Sequence, residues 1–245
     1  MAERTFGKHA VTGLLAGPRK VFRLYLIQGL NPATERELSD LAQSKGIPVE
    51  TVSRQWLDNL AGGVAHQGVM AEAEPVAYLE LDELLALVPA DATPLLVALD
   101  QVQDPHNLGA VIRTAAAAGA HGLIIPERRS ASLSPGTLKA AAGVADWFPV
   151  ARVVNLARAL DELKERGLWV VGADGAAAQT YWQVDLARPL VLVIGGEDRG
   201  LGRLVREKCD MLARLPMQPA VPSLNASVAA AIMLYEVVRQ RSCVV

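Results

Sequence analysis

From Pro94 onward the chain alternates apolar runs of five to seven residues with segments of helical character, and this alternation restricts the fold most strongly. Strands that are apolar on both faces and separated by helices are typical of a parallel sheet covered on both sides. We therefore predict an α/β fold with a mostly parallel sheet over residues 93–245. The predicted strands are Leu95–Asp100, Gly122–Pro126, Phe148–Val153, Trp169–Asp174, Leu190–Gly196 and Met211–Pro216, and a last helix is predicted from about Asn225 to Arg241.

Residues 1–73 have the pattern of a smaller α/β unit. The run from Val21 to Gly29 is strand-like and ends at a glycine. Thr34 and Glu37 then fit the S/T-x-x-E capping box, in which each side chain binds a free amide at the start of a helix. Ser53 is predicted to cap a second, short helix in the same way.

Residues 74–92 differ in composition from both flanking segments. They contain five acids, no Lys or Arg, and prolines near both ends. We predict an acidic linker with one helical stretch near 81–88. The predicted domains are thus 1–73, the linker 74–92 and 93–245.

Charge and composition limit the class of protein. No apolar run among the 245 residues approaches the ~18 that a membrane-spanning helix needs. Neither a signal-peptide pattern nor a disulfide framework is present, with only two cysteines, so we expect a cytoplasmic protein that does not contact membrane. The net charge of −2 argues against nucleic acid, whose phosphates attract basic proteins.

Counting the charge separately for each segment changes this conclusion about nucleic acid. Residues 1–73 carry +1, residues 74–92 carry −5 and residues 93–245 carry +2. Of 24 basic residues, 18 are Arg, the side chain suited to bidentate phosphate contacts. RNA binding is therefore compatible with the sequence, although only 4% of residues are aromatic and a broad base-stacking surface is not expected.

Several common catalytic motifs are absent from the sequence. Neither the G-x-G-x-x-G dinucleotide fingerprint, the G-x-x-x-x-G-K-[ST] phosphate loop nor the G-x-S-x-G elbow occurs. The four histidines lie far apart without the spacing of metal ligands, so no metal is expected.

The segment from Leu99 to Gly122 is the first of three with candidate chemistry. Asn107 follows an Asp-Pro turn, at the position where a helix N-cap is expected. Arg113 projects from the flank opposite the apolar face of the predicted helix. A capped helix with one exposed arginine explains the same pattern without any function.

The second and third segments lie near the end of the chain. In Val191–Leu201 a buried strand runs into Gly-Gly-Glu-Asp, which places acids and free amides at a carboxyl strand end, where α/β sheets bind ligands. A plain strand-to-helix turn capped by Asp198 is equally compatible. In Leu215–Arg241 three prolines stiffen a loop that leads through Ser-Leu-Asn into an alanine-rich helix. A core helix explains the alanines but not this loop.

Together these segments resemble the motifs of the SpoU family of 2'-O-ribose RNA methyltransferases. The matching segments are DPHNLGAVIRTA, VIGGEDRGL and LPMQPAVPSLNASVAAAIMLYE, in the family's order and spacing. The resemblance implies a C-terminal α/β knot, a deep trefoil that general rules of chain topology would not suggest. FGKHAVTGLL, RQWLD and AHQGVM are similar to the family's L30e-like, RNA-binding N-terminal domain. Homodimers formed through the knotted domain are also implied.

The resemblance assigns roles to individual residues. The implied catalytic residues are Asn107, Arg113, Glu197, Ser223 and Asn225. The implied contacts to S-adenosylmethionine are Gly195, Gly196, Leu215, Met217, Ser223 and Leu224. Arg113 is expected to clamp a phosphate and stabilise the developing alkoxide rather than to act as a base, because a guanidinium stays protonated. Asp198 and Pro219 stand at positions that are usually Gly, and Ala226 at one that is usually Val.

The implied reaction is transfer of the cofactor's methyl group to a ribose 2'-hydroxyl, with S-adenosylhomocysteine as product. The expected substrate is a guanosine in the peptidyl-tRNA-binding loop of 23S ribosomal RNA, as free RNA or in an assembly intermediate. A tRNA substrate is one alternative, and a non-catalytic RNA-binding protein of ribosome assembly is another. A generic α/β ligand-binding protein is a third.

Weaker candidates remain outside these motifs. Arg128 and Arg129 are either phosphate contacts or an exposed, solvated pair. The short basic turn Pro18–Lys20 is a weaker candidate for an RNA contact. Cys209 and Cys243 are expected to be buried thiols rather than nucleophiles.

Overall fold

The computed structural model describes residues 2–197 and 199–242. Asp198, its expected capping role and Cys243 lie outside the described residues. By backbone packing the chain divides into two compact units, Met1–Ala77 with Leu133–Trp147, and Tyr78–Ser132 with Phe148–Val245. The domain boundaries at 73 and 93 stay a prediction.

The first unit is a four-stranded sheet with helices on both faces. Its strands are β1 (Glu3–Phe6), β2 (Val21–Ile27), β3 (Val49–Val52) and β4 (Val69–Ala73), in the order β1-β4-β2-β3. Its helices are α1 (Lys8–Ala16), α2 (Pro32–Ser44) and α3 (Arg54–Ala61). Only β2 and β3 run parallel. Leu14, Leu24 and Leu38 are buried on the face covered by α1 and α2, and Leu57 and Met70 on the other.

One of the two helix caps predicted in this unit is confirmed. The Ser53 side chain accepts from the Trp56 amide at 3.2 Å and begins α3. The capping box of Thr34 and Glu37 is wrong, because α2 begins at Pro32, three residues before the start that a Thr34 cap would give. Asn31 caps that helix, with Pro32 at its first position, where a missing amide hydrogen costs nothing.

The segment Leu133–Trp147 adds helix α6 (Pro135–Ala140) and a 3₁₀ turn (Val144–Asp146) to the first unit. A Cβ atom on Gly13 of α1 would lie 2.6 Å from the Cα of Gly143, so the two backbones touch. Arg19 donates to the Asp146 carboxylate at 2.5 Å and to that of Glu3 at 3.1 Å, with little exposure of any of the three side chains. Glycine contact and a buried ion cluster thus hold this segment.

The second unit contains a seven-stranded sheet in which every pair is parallel, so the predicted parallel α/β architecture is confirmed. Its strands are β5 (Leu95–Asp100), β6 (Gly122–Pro126), β7 (Val150–Val153), β8 (Trp169–Ala173), β9 (Gln179–Thr180), β10 (Leu190–Gly195) and β11 (Met211–Arg214). Its helices are α4 (Leu81–Ala86), α5 (Pro105–Ala117), α7 (Leu156–Glu165), α8 (Arg203–Lys208) and α9 (Ala226–Ser242).

Strand order places a ligand crevice in this sheet. The order is β7-β6-β5-β10-β8-β11-β9, so β10 lies between β5 and β8 and pairs residue by residue with β5 from Leu190–Leu95 to Gly195–Asp100. The chain runs outward from β5 in one direction and reaches β10 from the other. Such reversals leave a crevice at the carboxyl ends of the adjoining strands.

The acidic segment 74–92 is more than a connection. Its helix α4 buries Leu81 and Leu84 in the core of the second unit. The Leu79 amide also donates to the Val150 carbonyl at 2.9 Å. Among the described residues, none of the helices has the length and apolar character required to cross a bilayer.

Candidate active site

A cavity of about 280 Å³ lies at the carboxyl ends of β8, β10 and β11. All six residues that the sequence predicts as cofactor contacts line it: Gly195, Gly196, Leu215, Met217, Ser223 and Leu224. Glu197 lines it too, and Ile194, Leu215, Met217 and Leu224 make much of its wall apolar. In the described part of the chain, the main chain of Met217 and that of Leu224 make no hydrogen bond, which leaves polar groups available beside an apolar wall. An adenosine moiety fits this combination of apolar surface and unpaired backbone groups.

The two glycines at the end of β10 are required by close backbone packing. A Cβ on Gly195 would lie 2.2 Å from the carbonyl carbon of Gly200, and one on Gly196 would lie 2.5 Å from the Gln101 carbonyl oxygen. The loop folds back at this point, since the Gly200 amide donates to the Gly196 carbonyl at 2.9 Å. Any larger residue would push the loop away from the cavity.

Two acids at strand ends belong to this region and were not identified from the sequence. Asp100 is buried and accepts from the Gly202 amide at 2.6 Å, which fixes the returning loop. Asp174, just after β8, lines the cavity while Arg206 donates to its Oδ2 at 3.0 Å. Their positions at the carboxyl ends of strands could have indicated that they belong to the site. Most acids at strand ends, however, do not line a ligand cavity.

Three predicted catalytic residues form a closed hydrogen-bonded ring. Asn107 Nδ2 donates to Glu197 Oε1 at 2.7 Å. Asn225 Nδ2 donates to the same Glu197 oxygen at 2.5 Å and to Asn107 Oδ1 at 2.9 Å. Glu197 Oε1 is therefore held by two amides, and no described residue donates to its Oε2.

Each member of the ring comes from a different element. Asn107 is buried in the first turn of α5 and does not cap it, so that prediction is wrong. Pro105 takes the first helical position and Asp104 caps instead, accepting from the His106 amide at 2.9 Å. Asn225 precedes α9, and its Oδ1 accepts from the amide of Ser227 at 2.9 Å. Asn225 is thus both N-cap and ring member.

The other two predicted catalytic residues are placed differently. Ser223 lines the cavity but makes no hydrogen bond to the ring. Arg113 is exposed on α5, six positions beyond Asn107, and lines neither this cavity nor the next. It makes no hydrogen bond or ion pair with any described residue. A single chain does not bring Arg113 to the ring.

A second cavity, of about 450 Å³, adjoins the first and is distinctly polar. The two share Gly196, Glu197 and Gly200. The remaining lining is Gln101, Val102, Gln103, Asp104, Asn107, Arg129 and Arg199. Ring residues Asn107 and Glu197 therefore lie where an apolar and a polar cavity meet.

The weaker sequence candidates have plain structural positions. Burial raises the pKa of the Cys209 thiol to about 12, so it is not a nucleophile at neutral pH. Arg19 is held by Asp146 and Glu3 and is not available to RNA. Pro219 is exposed and does not line the cofactor cavity. Within 2–197 and 199–242, no group of His, Cys, Asp and Glu side chains could hold a metal ion.

Two family models match the chain and together span most of it. The model of the SpoU rRNA Methylase family matches residues 94–235. The model described as RNA 2'-O ribose methyltransferase substrate binding matches residues 5–79.

Individual relatives cover nearly the full length. The 23S rRNA (guanosine-2'-O-)-methyltransferase RlmB of Pseudomonas aeruginosa is 48% identical over 244 residues, 98% of this chain and 97% of the relative. The putative TrmH family tRNA/rRNA methyltransferase YacO of Bacillus subtilis is 46% identical over 237 residues, 96% of this chain and 95% of the relative. The SpoU methyltransferase AviRb of Streptomyces viridochromogenes, solved with AdoMet, superposes with a TM-score of 0.84 at 27% identity, covering 98% of this chain and 91% of that one.

Proposed function

This chain belongs to the SpoU rRNA methylase family, and from that membership we propose its substrate and mechanism. It is an S-adenosylmethionine-dependent RNA 2'-O-ribose methyltransferase that acts on a guanosine of 23S ribosomal RNA. The observation that carries the mechanism is the ring of Asn107, Glu197 and Asn225 at the mouth of the cofactor cavity. For the target we propose the loop that contacts peptidyl-tRNA, and we place the enzyme in the cytoplasm with its ribosomal substrate.

The cofactor cavity fits S-adenosylmethionine by its chemistry. When bound, the cofactor supplies an electrophilic methyl group on a positively charged sulfur. We propose that Leu215, Met217 and Leu224 contact the adenine and that the Asp174 carboxylate accepts hydrogen bonds from the ribose hydroxyls of the cofactor. Asp174 is suited to this because it follows a parallel strand, lines the cavity and keeps lone pairs beyond those used by Arg206 and the Ala176 amide.

The ring residues orient the nucleophile. A ribose 2'-oxygen must align with the methyl carbon, so the positioning of two partners dominates the catalysis. Glu197 is fixed through Oε1 by two amide donors, which leaves Oε2 to accept a hydrogen bond from the 2'-hydroxyl and to receive its proton as the new C–O bond forms. Ser223 lines the cofactor cavity, and we propose that it contacts the ribose 2'-oxygen from the side on which the cofactor binds.

Arg113 requires a second subunit in this proposal. It is exposed on α5, which packs along α9, and α9 itself exposes Val228 and Tyr235. A homodimer that buries this face would bring each Arg113 to the partner's reacting oxygen, where its charge stabilises the developing alkoxide. The exposed apolar residues of α9 support such an interface.

Finer features of the fold belong to the same proposal. We propose that the second unit carries the trefoil knot of the family. In support, β10 returns to the centre of the sheet between β5 and β8 instead of extending its edge. We also propose that the first unit is an L30e-like RNA-binding module, which is supported by the substrate-binding model matched over residues 5–79.

The test is to map ribose methylation on 23S rRNA from cells with and without this protein, and to repeat it with purified enzyme, transcribed rRNA fragments and tRNA. Loss of one 2'-O-methylguanosine in the deletion strain, restored by the wild type but not by Arg113→Ala, is expected. An unchanged rRNA pattern with methylated tRNA would transfer the activity to tRNA. Binding of RNA and S-adenosylhomocysteine without any methyl transfer would indicate a non-catalytic assembly protein.

A further inference from the structure

The second cavity has a position that the transfer of a methyl group alone does not explain. It adjoins the cofactor cavity at Glu197 and is lined by polar side chains along most of its wall. A ribose whose 2'-oxygen lies at Glu197 must continue on both sides into phosphodiesters. A polar cavity next to that oxygen is the space available to one of them.

Arg129 is held at this cavity by an unusual backbone. Its φ of 58° is in the left-handed region, which an arginine adopts only at an energetic cost. The residues that follow Arg129 fix this conformation, because the amide of the buried Ala131 donates to the Val102 carbonyl at 2.8 Å. Gln101, which lines the same cavity, also has a left-handed φ, of 61°. Two such residues facing one cavity indicate a loop conformation maintained against local preference.

The guanidinium of Arg129 is available to an anion. Many arginines of this protein pair with a carboxylate, but Arg129 has no ion pair or hydrogen bond within residues 2–197 and 199–242, and neither does Arg199. The two described acids that line the cavity do not pair with Arg129: Asp104 Oδ1 accepts from the His106 amide, and Glu197 Oε1 accepts from the two amides of the ring. A planar fork of N–H donors matches two phosphate oxygens.

We propose that the second cavity binds the ribose-phosphate backbone of the RNA and that Arg129 holds the phosphate next to the target ribose. The proposal rests on the RNA methyltransferase function above. It assigns Arg129 a contact within the same chain as Glu197, whereas Arg113 acts from the partner. Phosphate contacts position the strand without reading sequence, so Arg129 sets where the 2'-oxygen lies and not which base is chosen.

The test compares Arg129→Gly with Arg128→Ala, an exposed neighbour that does not line the cavity. Glycine accepts a positive φ readily, so Arg129→Gly removes the guanidinium and preserves the loop. We expect its melting temperature to match or exceed that of wild type and its affinity for S-adenosylhomocysteine to be unchanged. Its kcat/KM for an rRNA fragment should fall about 10- to 100-fold, and the slope of log KM against log salt should decrease by about 0.7 to 0.9. Arg128→Ala should differ from wild type by less than about twofold.

A modified substrate identifies the contact. A neutral methylphosphonate at the phosphate next to the target ribose should slow wild type as strongly as Arg129→Gly does, and should slow Arg129→Gly no further. Independent, additive losses would overturn the proposal, as would equal activity of Arg129→Gly and Arg128→Ala. If wild type itself fails to methylate the fragment, the proposed function has failed instead.

Discussion

Asn225 forms a hydrogen bond of 2.5 Å to Glu197 with one end of its side-chain amide, and the other end of that amide caps helix α9. The Asn225 Nδ2 group donates to the carboxylate, while Oδ1 accepts from the first amides of α9. The side chain of Asn225 therefore sets both the start of α9 and the orientation of the Glu197 carboxylate. A shift of α9 would move Glu197, and a dimer formed along α9 would be coupled to the site.

Asn225→Ser separates these two functions. Serine is as good an N-cap as asparagine, so the free energy of unfolding should change by less than about 0.5 kcal/mol. Its side chain is too short to replace the Nδ2 donor to Glu197. Single-turnover methylation should slow about 10- to 1,000-fold, because Glu197 loses one of its two amide donors. Thermal unfolding and quench-flow methylation measure the two quantities. A serine variant with wild-type rate would show that the ring is structural only.

Arg113→Ala should abolish methylation and leave the affinity for S-adenosylhomocysteine, measured by calorimetry, nearly intact. Arg113→Lys keeps the charge but loses the bidentate fork, and we expect it to recover only part of the rate. The informative experiment mixes Arg113→Ala subunits with Glu197→Gln subunits after denaturation and refolding. If Arg113 acts on the partner's site, half the dimers are mixed and each has one complete site, giving about a quarter of wild-type activity. No recovery on mixing would place Arg113 in its own subunit's site, and an active Arg113→Ala dimer would place it outside catalysis.

Asp174→Asn should weaken binding of S-adenosylhomocysteine about 10-fold, the usual effect of losing a charged hydrogen-bond acceptor. Arg206→Gln removes the ion pair and keeps the carboxylate, so it controls for that loss, with a change below about threefold expected. Isothermal titration with the analogue that lacks both ribose hydroxyls completes the cycle. Wild type should lose affinity for that analogue, and Asp174→Asn should not. Equal discrimination by both proteins would contradict the assigned contact.

Asp146 predicts a pH dependence of stability. Burial raises the pKa of its carboxyl to about 6, although Arg19 opposes the shift. Between about pH 4 and pH 6 the native state then binds more protons at this group than the unfolded state, so its contribution to stability falls as pH rises. Asp146→Asn cannot titrate. Urea titrations from about pH 4 to pH 7 should show wild type losing roughly 1–3 kcal/mol relative to that variant. A constant or opposite difference would exclude this assignment.

Most of the second sheet could be predicted because its central strands are buried on both faces, whereas the two-residue strand β9 was not predicted. Every residue of Leu95–Asp100 is buried, and the strand appears in the sequence as five apolar residues followed by Asp100. The predicted Leu190–Gly196 differs from the observed strand by one residue. Strand order was not predictable, since β10 lies between β5 and β8 by long-range pairing that no local pattern records. β1 and α1 were missed because four and nine residues give little periodicity.

The site was predicted in its residues but not in its geometry. Gly195 and Gly196 are recognisable as a loop, yet only the structure shows which backbone each one touches. Asn107 was misplaced as a cap because both asparagine and Asp104 are good caps, and Pro105 decides between them. Asp174 was missed since an acid at a strand end has the same local sequence whether it lines a cavity or faces solvent.

The segment Leu133–Trp147 packs in the first compact unit although it is far from Ala77 in sequence, and this limits how the protein can be divided into fragments. Family models matched at 5–79 and 94–235 suggest two pieces that could be expressed separately. Cutting the chain after Ala77 would nevertheless strip α6 and the turn at Asp146 of their packing partners, leaving Arg19's carboxylate partner unpaired in one fragment and exposing the buried Leu138. An exchange of the first unit between relatives must therefore transplant two stretches of chain, residues 1–77 and 133–147.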